Sequence, residues 1–345
     1  MILSLVGRLP SSDLPPALLT DEEISRVAAA GLGALFHHLN QQGHIHCSES
    51  AGGVLESADL TSRVLSSNAR RSAVTVLDEL GQQDIHPILL KGMDVAQRYY
   101  PEAHWRVMGD IDLLLPADAR EEAVSCLKQR GFHNPTDDPD SDWDKHHHAV
   151  PLYSDELKIW VELHHKLITD QSPFDAEPAL AQDAVLSDLS PGILEGREVR
   201  YLAPERTLLF TILHWYFDLI DRWGSPGLQR AAVDCFFLNM AGVTFSQLPD
   251  LSPQAKRAGG LMAQMIATEK SARSVDSSCP MPMGGGIERA LAKLAGFRVD
   301  SSGFKQEVTG LMFRQALSAS GPVSLRLATA LGALGPLSRA IRQRL

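Results

Sequence analysis

The stretch that most restricts this chain is GDIDLLLP, residues 109–116. It sets Asp110 and Asp112 inside an otherwise aliphatic run. Alternate residues of a β-strand share a face, so the two carboxylates project together while Ile111, Leu113 and Leu115 pack the other way. A carboxylate withdrawn from water is unstable unless a cation or strong donors meet it. Any fold built on this strand must therefore bring positive charge to the face that carries Asp110 and Asp112.

Two acids separated by one residue on a rigid strand can hold a hard divalent cation, with water and phosphate oxygens completing its octahedron. Phosphoryl and nucleotidyl transfer commonly use a third carboxylate, so that two ions about 3.5–4 Å apart bind the attacking and leaving oxygens. The candidate is Glu162 in IWVELHH, where Ile159, Val161 and Leu163 alternate with Trp160, Glu162 and His164. Glu162 therefore faces away from the aliphatic residues. Upstream, LLKGMD offers a second ingredient. Gly92 stands between an apolar run and a helical pattern, where backbone N–H groups of residues 92–94 can cradle a phosphate and Lys91 can add a point charge. A plain strand-to-helix turn would also use that glycine. Arg106 serves equally well for binding phosphate or for neutralising the acids. HHH (146–148) and HH (164–165) lie on two strands that can meet. His148 and His164 are placed nearest the acids, as substrate-binding or supporting groups. Zn²⁺ is the alternative, because imidazoles suit it, although neighbouring strand histidines point to opposite faces. His214 reads as a core residue, and Asp234 as either a buried acid or a polar-face one.

The rest of the chain arranges itself around these motifs. Apolar residues recur at helical spacing from Asp21 to about Gln42 and from about Ser57 to Leu80. Leu60, Val64, Leu65, Val74, Leu77 and Leu80 would line one face of the second helix, and SESAGG (48–53) would be a loop. HPILLKG, GDIDLLLP, HHHAVPLY and LKIWVELHH read as strands, the last two joined by a tight SDE turn. A helix closed by Gly131 follows Pro116. REVRYLA is a short strand before the helices PERTLLFTILHWYFDLIDRW and PGLQRAAVDCFFLNMAG. The expected fold is α+β: a small mixed sheet with packed helices over residues 81–203, an N-terminal helical layer over 1–80 and a helical region over 204–345. SSCPMPMGGG (277–286) reads as a flexible break in that last region, and the final 60 or so residues as helical.

Composition narrows the partners. Asp plus Glu number 42 against 32 Lys plus Arg, a net charge of −10. Long nucleic acid is disfavoured, because such binding neutralises many phosphates. Four scattered cysteines without a CxxC pair suit reduced thiols. MILSLVGRLP is too short an apolar run for a signal-peptide core, and no segment is apolar enough to span a membrane. The expected location is the cytoplasm.

Taken together, ILLKGMD, HWRVMGDIDLLL, HHHAVPL and IWVELHHKL resemble the nucleotidyltransferase-fold proteins of the DNA polymerase beta superfamily. They look most like its bacterial branch of uncharacterised nucleotidyltransferases. The resemblance covers roughly residues 60–245, including LLFTILHWYFDLIDRW and AAVDCFFL. It implies that Asp110 and Asp112 hold two Mg²⁺ ions (Mn²⁺ as the alternative), that Glu162 binds the catalytic one, and that Gly92 is the phosphate-loop glycine. Met93 departs from the superfamily, which commonly has a serine or glycine after that glycine. The implied activity is transfer of an NMP from an NTP to a hydroxyl or phosphate, releasing pyrophosphate. A peptide or small molecule, as in natural-product tailoring, is favoured over tRNA as acceptor. The rival expectations are a non-catalytic nucleotide- or partner-binding protein on the same fold and a His-rich metallohydrolase.

Overall fold

The computed structural model describes residues 5–7, 9, 15–116, 118–135, 147–168, 177–221, 226–244, 248 and 250–271. SSCPMPMGGG, the C-terminal 60 residues and His146 lie outside the described residues. Two compact units divide the chain: Ile2–Met262, and Ala263–Leu345 with Met1. The site lies in the first.

That unit opens with β1 (Ala17–Leu18) and α1 (Asp21–Ala29). Thr20 and Glu23 cap α1 reciprocally, each side chain reaching the other's backbone N–H. Gly31, at φ +73, ends the run, so the helix expected from Asp21 to Gln42 is two. The second, α2 (Gly33–Gln41), leads through β2 (Ile45–His46) into the long α3 (Glu49–Gly81).

Helix α3 corrects the sequence reading twice. SESAGG is not a loop: Ser48 is the N-cap, its hydroxyl accepting from Ala51 N at 3.1 Å, and Gly52 and Gly53 lie inside the helix. The cap, about 1 kcal/mol, offsets part of the roughly 1 kcal/mol that each glycine costs, and burial of Ala51 and Leu55 adds to it. The buried stripe is the expected one only towards the C-terminal end, where Leu77 and Leu80 are buried. Leu60 and Val64 are 59% and 68% exposed, whereas Leu55, Ser62, Ser66, Ala69, Ala73 and Val76 face inward. Small side chains let α3 approach its neighbours closely, and around Leu60, Val64 and Leu65 a pattern keyed to large residues follows the wrong face.

The core sheet follows: β3 (Ile88–Leu89), α4 (Lys91–Arg98), β4 (Asp110–Leu114), α5 (Arg120–Gln129), β5 (Leu152–Ser154) and β6 (Ile159–His164). After α6 (Gln182–Leu186) come β7 (Leu189–Leu194) and β8 (Arg197–Leu202), then α7 (Pro204–Asp221), α8 (Pro226–Met240) and α9 (Pro253–Ser271). The six strands run β5-β6-β4-β3-β8-β7, with β4–β6 and β3–β8 parallel and the others antiparallel. This is the α+β class expected. Strand β7 was not expected, because LSPGIL contains Pro and Gly. Both are tolerated since β7 is an edge strand. Gly192 is required by packing: a Cβ there would lie 2.4 Å from the Tyr201 ring.

One face of the sheet carries the core. Ile111, Leu113, Leu115, Ile159, Val161 and Leu163 pack with Ala69, Ala73, Val76 and Leu80 of α3 and Ala123 and Leu127 of α5. The alternation that buries these aliphatics turns the acids of β4 and β6 to the opposite face. No helix among the described residues is long and apolar enough to cross a membrane.

Candidate active site

Strands β4 and β6 are neighbours in parallel register, with Asp110 opposite Trp160, Asp112 opposite Glu162 and Leu114 opposite His164. Side chains at paired positions of adjacent strands stand side by side on one face. The pairing therefore gathers Asp110, Asp112, Glu162 and His164. One ligand atom each from Asp112, Glu162 and His164 lies within 4.8 Å of the others.

The cation that the sequence demanded is Lys91. Strand β3 runs antiparallel beside β4, and Leu90 N donates to Asp112 O at 3.0 Å, which places the next residue over the acids. Lys91 takes a left-handed φ of +46 to reach them. Its Nζ lies 2.6 Å from Asp112 Oδ1 and 3.4 Å from Glu162 Oε2. Burial opposes its charge, but Asp112 and then Glu162 win and raise its pKa. His164, fully buried, sits with Nε2 2.9 Å from Asp112 Oδ1 and 3.5 Å from Glu162 Oε2. Because a carboxylate only accepts, Nε2 donates in this contact, and Nδ1 is buried without a hydrogen-bond partner among the described residues.

The three carboxylates differ. Burial pushes the Asp112 carboxyl up, yet Lys91 and the His164 hydrogen bond hold it well below the usual range. Glu162, half-buried, is also held down: burial works against it, while His164 and Lys91 outweigh burial and the Asp112 charge. Asp110 stands at the exposed start of β4 and makes no side-chain hydrogen bond among the described residues. Partial desolvation of its carboxyl and then repulsion from Asp112 and Glu162 raise it to about 6.

The other expected residues sit around this cluster. The His148 ring lies 5.4 Å from that of His164, and its Nδ1 is 2.8 Å from Ala149 O. His147, not singled out before, is 5.1 Å from the His164 ring, and burial first and the neighbouring histidines next drive its pKa down to about 2. It is neutral at any ordinary pH. Gly92 is the second residue of α4, whose first N–H groups have no carbonyl a turn behind them. A Cβ at Gly92 would meet Met108 Cγ at 3.3 Å and Arg106 Nη1 at 3.5 Å. Arg106 is therefore beside the turn, but it neither touches the acid pair nor stands free. Its Nε donates to Asp234 Oδ1 and Oδ2 at 2.9 and 3.1 Å, and Nη1 to Val107 O at 2.7 Å. Asp234 is the buried acid of its two readings, accepting also from Tyr100 Oη at 2.6 Å.

A model of the family described as uncharacterised nucleotidyltransferase matches residues 24–238, more than half of the chain. The chain belongs to that family. As a nucleotidyltransferase-family protein it has both paired strands of the acid cluster, the Lys91–Gly92 turn and Asp234 within the matched region. No curated protein matches it. Two solved structures are similar in part. One is an antigenic nucleotidyltransferase-like protein from Paracoccidioides brasiliensis, at TM-score 0.39 and 19% identity, covering 62% of this chain and 96% of that one. The other is the antibiotic-resistance factor ANT(2'')-Ia, at TM-score 0.35 and 12% identity, covering 60% of this chain and 97% of that one.

The residues fit a divalent cation. Three carboxylates face one ammonium, so the cluster keeps an excess of negative charge at neutral pH. Lys91 Nζ already marks a point where a cation contacts Asp112 and Glu162 together. Carboxylate oxygens suit Mg²⁺ and Mn²⁺, and His164, hydrogen-bonded to Asp112, would orient one of them.

Proposed function

We infer that this protein moves an NMP from an NTP to a hydroxyl or phosphate oxygen of a peptide or small molecule, with pyrophosphate leaving. The observation that carries this reading is the register of β4 against β6, which sets Glu162 beside Asp112 with Asp110 on the same face. In the transfer, the acceptor oxygen forms a bond to the α-phosphorus while the bond from that phosphorus to the bridging oxygen breaks. A divalent cation held by Asp110, Asp112 and Glu162 would neutralise charge building on the phosphate oxygens. Glu162, charged and partly open to solvent, is placed to take the acceptor's proton. Asp112 is fixed by Lys91 and His164 and serves as the rigid anchor of the group. The α4 N-terminus at Gly92 would receive phosphate oxygens, and Lys91 would exchange its carboxylate contacts for them as the cation enters. The −10 net charge supports a compact acceptor over a long nucleic acid.

Incubation with each NTP and either Mg²⁺ or Mn²⁺, with candidate peptide and small-molecule acceptors, should release pyrophosphate. Asp110→Ala and Asp112→Ala should each abolish it. Release that survives in both variants would overturn the reading.

One observation favours a second reading, a nucleotide-binding protein without turnover: the Lys91 ammonium already occupies the space between Asp112 and Glu162. On that reading Glu162→Gln leaves nucleotide affinity intact and wild type never releases pyrophosphate with any acceptor.

A further inference from the structure

Arg230 lies in the first turns of α8. It stands one helical turn before Asp234, the spacing at which an arginine ordinarily pairs with an acid. Yet the Asp234 carboxylate is already engaged by Arg106 and Tyr100. Arg230 is half-buried and makes no hydrogen bond or ion pair among the described residues. Its guanidinium lies beside Gly31. A Cβ on Gly31 would come 3.0 Å from Arg230 Nη1 and 3.5 Å from Val107 Cβ. Val107 O is the acceptor of Arg106 Nη1, and that same nitrogen lies 3.5 Å from where a Gly92 Cβ would stand. Gly31 and Val107 therefore link Arg230 to Arg106 and the Gly92 turn, on the stretch of chain that leads into Asp110.

Two guanidiniums lie near one carboxylate there, and only Arg106 is bonded to it. Burial first, and Arg106 second, lower the Arg230 pKa, with Asp234 and Asp110 only partly compensating. Like charges held together out of water are unfavourable unless an anion completes the group. Planar guanidinium forks match phosphate oxygens two at a time, and Arg is the side chain best suited to that geometry.

We propose that Arg230 and Arg106 grip the polyphosphate tail of the incoming nucleotide, with Arg230 as the free arm and Arg106 as the arm braced by Asp234. This rests on the transferase reading for the identity of the nucleotide, but the ligand chemistry, a chain of phosphates, stands apart from turnover. A clamp on the β- and γ-phosphates orients the tail away from the acceptor and steadies the leaving pyrophosphate.

The test is calorimetric titration of the full chain, in EDTA, with inorganic tripolyphosphate and separately with a non-hydrolysable NTP analogue. Wild type should bind both, since the tail is the shared chemistry; binding of neither would overturn the proposal. Arg230→Gln should weaken both by tenfold or more, and Arg230→Lys, which keeps the charge but loses the fork, by a smaller factor. Arg26→Gln, which removes an exposed charge on α1, should leave affinity unchanged. Wild-type affinity in Arg230→Gln, or an equal loss in Arg26→Gln, would overturn the clamp. If Arg230→Gln does not fold, Arg230→Lys decides, and wild-type affinity in that variant overturns it. Pyrophosphate release surviving the Asp110 and Asp112 substitutions would remove the transferase reading and leave this result untouched.

Discussion

Asp94 and Asp112 are both buried aspartates, and they lie on either side of the Lys91–Gly92 turn. Asp94, fully buried in α4, accepts from Arg98 Nη1 at 2.9 Å and from Thr207 Oγ1 at 2.7 Å. One acid meets one cation and one hydroxyl, and Arg98 also donates to Leu202 O at 2.8 Å. The group is closed and ties α4 to α7 and to the end of β8. Asp112 belongs to a group that does not close, because Glu162 and Asp110 crowd the same lysine. A matched pair holds helices together. An outnumbered cation marks a place where another positive charge can enter.

The largest expected effect separates these two groups by activity. Asp112→Asn should lower pyrophosphate release by about 10³-fold or more, the scale set by losing one preorganised charge contact in a site that depends on them. Asp94→Asn should leave the rate within a few-fold of wild type, since that side chain touches no reacting group. Single-turnover assays on both variants check this. Equal losses would mean that Asp94 acts on the chemistry through the α4 N-terminus, and the contrast would fail.

Asp234 extends the comparison to a third buried acid, matched like Asp94. Removing its charge leaves the buried Arg106 guanidinium with neutral acceptors only, Val107 O and the amide oxygen at position 234. Breaking a buried pair on one side typically costs about 3–5 kcal/mol. Asp234→Asn should therefore lower the urea midpoint by an amount corresponding to about 4 kcal/mol. A change under about 1 kcal/mol would show that Arg106 finds another acceptor.

The alternation of acids and aliphatics on β4 and β6 was legible because a strand's two faces are written into its sequence. Once Ile111, Leu113, Val161 and Leu163 are buried, Asp112 and Glu162 must point the other way. The α7 and α8 helices were legible from their apolar runs and opening prolines. The residues that complete the site were not. Lys91 reaches Asp112 only because β3 inserts beside β4, a non-local pairing that no local pattern encodes. It was read as a phosphate ligand, while the fold sets it against the acids. Arg106 and Asp234 are far apart in sequence and meet through the packing of α8. Arg230 had no local signal, since an arginine four residues before an aspartate reads as an ordinary surface pair. Ser48 was a missed signal of another kind: a serine before Glu49 is a helix start, and Gly52 and Gly53 concealed it.

The smallest effect is a pH dependence, and it runs oppositely for the two acids that opened the comparison. Burial raises Asp94 from 3.8 to about 6 despite Arg98 and Thr207. Between about pH 4 and pH 6 the folded protein therefore keeps a proton that the unfolded chain has released. Stability falls as pH rises through that window and is level above it, by about 3 kcal/mol for a shift of this size. Asp112 lies below its ordinary value, so its contribution is present above about pH 4 and lost on further acidification. Asparagine at position 94 cannot ionise. Urea unfolding of wild type and Asp94→Asn at pH 4 and pH 7 should show the variant gaining on wild type as pH rises, by up to that amount. A stability difference that does not change with pH would mean that Arg98 and Thr207 balance the burial of Asp94 completely. The closed and open groups would then differ in how many charges they hold, and no longer in how strained those charges are.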